Sequence, residues 1–186
     1  MNYQEYLDSI PDESAEPWVS ESALAGKAIK GALPAEPEEP VLFIGAGSCG
    51  HACAVGALGF KTIAIELSRG QTELGNERVK ANGLGLKVIP VWEEYGKLKF
   101  DDGTFPLVVA ERGVLSLFEE PEKAFSELFR VCKPGGRIIA TFFRNAPGGL
   151  KLLNGISGEE LAGKFSLRFG KTGNEHADCF VFSVKN

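Results

Sequence analysis

Val41-Leu42-Phe43-Ile44-Gly45-Ala46-Gly47-Ser48-Cys49-Gly50 is the stretch from which the rest of the chain can be read. Four apolar residues run into a glycine-rich turn, and the turn runs into the Ala/Val/Leu-rich segment Ala52 to Leu58. That order predicts a buried strand, a tight loop and a helix. The glycines let the backbone approach a ligand closely, and a helix start offers free N–H groups to a polar one. A second apolar run, Thr62-Ile63-Ala64-Ile65, ends on Glu66. A carboxylate at the tip of a second strand suits the two hydroxyls of a ribose, so the pattern predicts a nucleotide-type site.

Composition limits the rest. A chain of 186 residues fits one domain, and 44% hydrophobic with 24% charged residues is enough for an ordinary core. A formal net charge of −5 and the lack of a long basic run weigh against a nucleic-acid binder. No stretch nears the ~18 apolar residues of a membrane span, and Met1 leads into a polar segment rather than a signal peptide. Four cysteines without a secretory signal read as free thiols of a cytoplasmic protein. Oligomeric state leaves no mark in the sequence.

Residues 1–39 are acidic and broken by prolines. Between Pro17 and Leu33 the pattern is helical, with Ala25, Ala28, Ile29, Ala32 and Leu33 on one face. The segment has two readings: a helix packed on the sheet, or part of a lid that uses Tyr3, Tyr6 and Trp18. Ser68 suits a helix cap, with Leu74 and Val79 as apolar positions and Asn82-Gly83 as the stop. Leu86 to Val91 is a third strand, in which Pro90 favours a strand end. Phe105 to Ala110 is a fourth strand, Pro121 to Cys132 an amphipathic helix, and Arg137 to Phe143 a fifth strand. A short helix at Glu159 to Lys164 and two strands, about 166–170 and 178–184, complete the chain. The alternation predicts an α/β fold: a single-domain three-layer α/β/α sandwich. Its sheet is mostly parallel and seven-stranded, and ends in an antiparallel hairpin.

Gly45-Ala46-Gly47, Glu66, Leu98 to Phe105, and Arg130-Val131-Cys132-Lys133-Pro134-Gly135-Gly136-Arg137 stand in that order ahead of the terminal hairpin. Together they resemble the class I S-adenosylmethionine-dependent methyltransferases, from about residue 40 to the end. Gly45, Gly47 and Gly50 also match a dinucleotide fingerprint for NAD or FAD. However, Glu66 follows Gly45 by 21 positions, which resembles the methyltransferase register, and the Lys-Pro-Gly-Gly turn points the same way.

The resemblance implies S-adenosyl-L-methionine as cofactor and a small-molecule acceptor. It places Gly45, Ala46 and Gly47 along the methionine part, Glu66 on the ribose and Leu67 against the adenine. Trp92 and Glu93 would flank the base, with Glu94 competing for the role of Glu93. Ala110 and Glu111 would face the sulfonium and the acceptor. Glu111 is a candidate general base and Arg112 a candidate for binding an acidic substrate group; the plainer reading makes these two a surface ion pair. The chain departs from the family pattern at three places. Phe43 stands where an acid is usual, Cys49 where glycine is usual, and Pro106 where an acid commonly follows the aromatic residue. A non-catalytic relative that serves as a binding module is therefore the alternative.

Cys49-x-His51-x-Cys53 invites a metal reading, but on a helix His51 lies about 200° round from each cysteine, so no metal site is expected. A thiol at a helix N-terminus can have a lowered pKa, which makes Cys49 a candidate reactive cysteine.

Overall fold

The computed structural model describes residues 18–93, 97–118, 120–143, 165–166, 172–173 and 177–184. Its helices are α1 (Trp18–Ala32), α2 (Gly50–Ala57), α3 (Arg69–Ala81) and α4 (Pro121–Val131). Its strands are β1 (Val41–Ile44), β2 (Thr62–Glu66), β3 (Val88–Trp92), β4 (Phe105–Ala110), β5 (Cys132–Phe143), β6 (Phe165–Ser166), β7 (Thr172–Gly173) and β8 (Ala177–Val184). They form one sheet in the order β3-β2-β1-β4-β5-β8-β6, with β7 also paired to β8. Strands β1 to β5 are parallel, and β8 runs antiparallel to β5, β6 and β7. The parallel body and antiparallel end match the expectation. The count is eight strand segments among the described residues, because β8 pairs with two separate two-residue pieces.

Why β1 is apolar throughout follows from burial on both faces. Leu42 and Ile44 point into a core with Ile65, Val108, Ile138 and the Phe125 and Leu128 of α4. Val41 and Phe43 point the other way, into a core with Leu107, Val109, Ile139 and the Ala25 and Ile29 of α1. Phe43 thus takes a packing position where the resemblance suggests an acid.

Several boundaries shift for physical reasons. Pro90 sits inside β3, not at its end, and is tolerated because β3 is the outermost strand. Leu86 lies outside β3 and is exposed. Leu74 faces solvent at 51% exposure, because α3 turns Thr72, Gly75 and Val79 inward. Cys132 opens β5 rather than closing α4. The Lys133–Gly136 turn appears as an irregularity within β5: Phe105 pairs Cys132, while Leu107 pairs Arg137. A Cβ on Gly136 would stand 2.9 Å from the Pro106 carbonyl oxygen and 2.8 Å from that of Lys133, so the turn needs glycine there. Tyr3, Tyr6, Glu94, the Pro147–Gly149 loop, helix 159–164 and His176 lie outside the described residues, as does the side chain of Trp18.

Candidate active site

Strand order reverses between β1 and β4, which is where open α/β sheets gather ligands at the C-terminal strand ends. The glycine loop leaves β1 at this point and Glu111 leaves β4. Gly45 and Ala46 both donate to the Ile65 carbonyl oxygen, at 3.0 and 3.2 Å, which moors the loop to β2. Gly45 (φ 72) and Gly47 (φ 52) are left-handed. A Cβ on Gly45 would stand 2.8 Å from the Val114 Cβ, so that position admits no side chain.

Glu66 is 2% exposed. Its Oε2 accepts the Gly47 N–H at 2.8 Å and its Oε1 accepts the Ser68 N–H at 2.9 Å. The carboxylate is therefore held at the tip of β2. Ser68 also caps α3, its hydroxyl oxygen accepting from Gln71 N at 3.3 Å.

Beside it, the Trp92 indole N–H donates to the Leu67 carbonyl oxygen at 2.8 Å, and the Arg69 guanidinium lies 4.6 Å over the ring. Trp92 stays 51% exposed. Glu93 N donates to the Glu66 carbonyl oxygen at 3.2 Å, while the Glu93 carboxylate pairs with Lys99 at 2.6 Å. Leu67, Trp92 and Glu93 thus share one corner with Glu66.

On the other side of the loop stands a buried polar group of which the sequence reading names only Glu111 and Arg112 as a pair. Ala110 is buried, and Glu111 is 2% exposed, so Glu111 is no surface charge. Glu111 Oε2 meets His51 Nδ1 at 2.5 Å, and His51 Nε2 lies 3.2 Å from Ser22 Oγ. The Arg112 backbone, at φ 62, donates its N–H to Glu21 Oε1 at 2.9 Å. The same Glu21 oxygen accepts the Thr141 hydroxyl. The Arg112 guanidinium rests on Gly47, 2.9 Å from where a Cβ would stand. Burial, then the nearby Glu111 charge, push the Glu21 pKa up, against hydrogen bonds from Thr141 and Arg112.

Glu21 could have been found by its place: it lies four residues before Ala25, on the apolar face of α1. Thr141 and Ser22 carry no sequence signal. His51 turns toward Glu111 and α1. Cys49 contradicts the reactive-thiol expectation: it is fully buried at φ 61, and burial, with Cys53 and the carboxylates of Glu111 and Glu66, pushes it up to about 12. Its thiol fits against α3 because residue 75 is glycine; a Cβ there would stand 2.7 Å from Cys49 Sγ.

A mostly parallel sheet with a glycine loop after β1, an acid after β2 and an antiparallel end defines a Rossmann-like nucleotide-binding fold of the methyltransferase type. Residues 42–140 match the methyltransferase domain family, and the chain belongs to it. A demethylmenaquinone methyltransferase of Clavibacter sepedonicus is 34% identical over 109 residues, 59% of this chain and 43% of that protein. The chain thus spans less than half the length of this curated relative. The PH0226 protein of Pyrococcus horikoshii superposes with a TM-score of 0.72 at 20% identity, covering 99% of this chain and 100% of that one. A SAM-dependent methyltransferase from Aquifex aeolicus does so with 0.65 at 19% identity, over 86% and 89%. Among the described residues no helix is long and apolar enough to cross a membrane.

Proposed function

We propose that this protein transfers a methyl group from S-adenosyl-L-methionine to a small-molecule acceptor in the cytoplasm. The observation that carries the reading is the buried Glu66 carboxylate, aimed by the Gly47 and Ser68 N–H groups at the tip of β2. In this reading residues 40–186 form the cofactor domain and residues 1–39 an N-terminal helical segment or lid. β6 and β7 would be two pieces of one interrupted strand along β8, which gives the seven-stranded three-layer form of the fold.

The residues fit the cofactor. Gly45, Ala46 and Gly47 offer a close backbone approach to its methionine end, and Glu66 takes the ribose hydroxyls. Leu67 and Trp92 hold the adenine, with Glu93 near its amino group. Ala110 and Glu111 border the reacting end. The Arg112 guanidinium, resting on Gly47, supplies a cation for a carboxylate of the cofactor or the acceptor. When bound, the cofactor supplies an already activated methyl group, so the protein's work is alignment and exclusion of water. Phe43 and Cys49 leave the loop geometry in place. The name of the Clavibacter relative makes a demethylated quinol the first acceptor to try.

The test is isothermal titration with S-adenosylmethionine, S-adenosylhomocysteine and NAD. Micromolar binding of either S-adenosyl ligand, with NAD silent, is expected. Silence from both at millimolar concentration would overturn the reading in favour of a non-catalytic binding module.

A further inference from the structure

The turn that follows β4 is held in place from α1. Glu21 is buried one helical turn before Ala25, which packs with Phe43, Val109 and Ile139 in the core beneath α1. That packing sets where the Glu21 carboxylate lies. Its Oε1 accepts the Arg112 N–H at 2.9 Å, across 91 positions of sequence, and the Thr141 hydroxyl donates to the same oxygen. Arg112 is left-handed at φ 62, as is Gly113 after it at φ 63. A residue with a Cβ keeps such a backbone only where its surroundings hold it there. Two further bonds close the turn: Glu111 N–H to the Ile44 carbonyl oxygen at 3.1 Å, and Val114 N–H to that of Glu111 at 3.2 Å.

This turn and the glycine loop are fitted to one another. A Cβ on Gly45 would stand 2.9 Å from the Glu111 carbonyl oxygen. One on Gly47 would stand 2.9 Å from Arg112 Cζ and 3.0 Å from its Nε and Nη1. The guanidinium therefore lies against Gly47 because that residue has no side chain. The N–H of the same Gly47 goes to Glu66. A continuous set of contacts thus runs from Glu21 through Arg112 and Gly47 to Glu66.

Resting on the methyltransferase reading, we propose that Arg112 binds the carboxylate at the methionine end of the cofactor, and that Glu21 is the positioning residue that aims it. Gly47 lines the methionine end in that reading, so a guanidinium against Gly47 is placed for a charge-assisted bond to the carboxylate there. The bond from Arg112 N–H to Glu21 holds the backbone of residue 112, and with it the direction of the side chain. Without that acceptor, residue 112 relaxes to the ordinary negative-φ region and the guanidinium leaves the loop. A helix outside the glycine motif thereby sets the affinity for one end of the cofactor. Both bonds to Glu21 end on Oε1, so an amide oxygen in the same place keeps them, whereas a methyl group or a shorter carboxylate does not.

The test titrates the full chain with S-adenosylhomocysteine and with its decarboxylated analogue, which keeps the amine and lacks only the carboxylate. The readout is the ratio of the two affinities, which general damage to the fold does not move. Wild type should favour S-adenosylhomocysteine by about 10- to 100-fold, and R112Q should bring the ratio to within about threefold of one. E21A should lower the ratio about tenfold, and E21Q should restore most of it. Both variants remove the Glu21 charge, so the difference between them reads the hydrogen bond. E21D keeps the charge but falls short of Arg112; it should behave like E21A, and it carries the test if E21A does not fold. In R112Q, adding E21A should lower the ratio no further. A ratio left unchanged in E21A and E21D, with only the melting temperature lowered, overturns the role of Glu21. A wild-type ratio near one overturns that of Arg112. A wild-type protein that bound neither S-adenosyl ligand would instead remove the methyltransferase reading, and this proposal with it.

Discussion

The carboxylate of Glu66, at the end of β2, accepts the backbone N–H of Gly47 at 2.8 Å, nineteen residues earlier in the chain. The residue proposed for the ribose hydroxyls is thus also the one that holds the glycine loop. Glu66→Ala should do two things at once. It strands the buried Gly47 N–H, at about 1–3 kcal/mol, and leaves the half-buried Ser68 N–H without its carboxylate, and it removes the proposed ribose partner. Glu66→Gln keeps a neutral acceptor oxygen for one N–H. Thermal melts should therefore place Gln between wild type and Ala, while titration finds a tenfold or greater loss of S-adenosylhomocysteine affinity in both. Unchanged affinity in Glu66→Ala would refute the site placement.

Cys49 and Gly75 form a second dependent pair. Gly75→Ala pushes a methyl group to 2.7 Å from the Cys49 thiol and should cost about 1–3 kcal/mol in denaturant unfolding. The penalty should shrink when Cys49→Ala removes the sulfur, which a double-mutant cycle measures. With its pKa pushed up to about 12, the Cys49 thiol should resist iodoacetamide at pH 8 until the protein unfolds. Rapid alkylation of the native protein, located by mass spectrometry, would contradict this.

Glu21 carries a pH signature. Its pKa is raised in the folded state, so folding favours the protonated acid; the stability this gives is full below the ordinary carboxylate range. It is lost as pH rises through the folded-state value. Glu21→Gln has no proton to lose. Its denaturation midpoint relative to wild type should therefore improve steadily from pH 4.5 upward, starting from the ordinary value for the group. A constant difference across that range would show that Glu21 does not titrate with folding.

Arg130 explains why its motif begins with arginine. Its guanidinium grips Glu127 through Nε and Nη2 at 2.8 and 2.9 Å. The same group donates to the Phe100 and Leu98 carbonyl oxygens at 2.8 and 2.9 Å, and to Asp102 at 2.7 Å. This ties α4 to the turn that feeds β4. Arg130→Ala should lower stability by about 1–3 kcal/mol, and Arg130→Lys should recover little, since an ammonium cannot bridge the same fork. Equal melting temperatures for Lys and wild type would argue against the fork.

By itself, the sequence determined the order of helices and strands from α1 to β5, the glycine loop and the acid at position 66. Each of these is written in local terms: the all-apolar β1, a glycine turn, a carboxylate closing an apolar run. The inner face of α1 was legible in the same way, from Ala25, Ile29 and Ala32. Tertiary structure alone decided what the polar side chains do. Leu74 looked apolar and inward, but a glycine and a threonine take the inner face because Cys49 needs the room. Cys49 looked activated by its helix, yet desolvation outweighs the helix dipole once the thiol is enclosed. Glu21, His51, Glu111 and Thr141 come from four separate elements, with Glu21 and Thr141 120 residues apart. A contact of that kind has no local period or spacing to announce it. It exists only because sheet order brings the ends of β1, β4 and β5 together beneath α1.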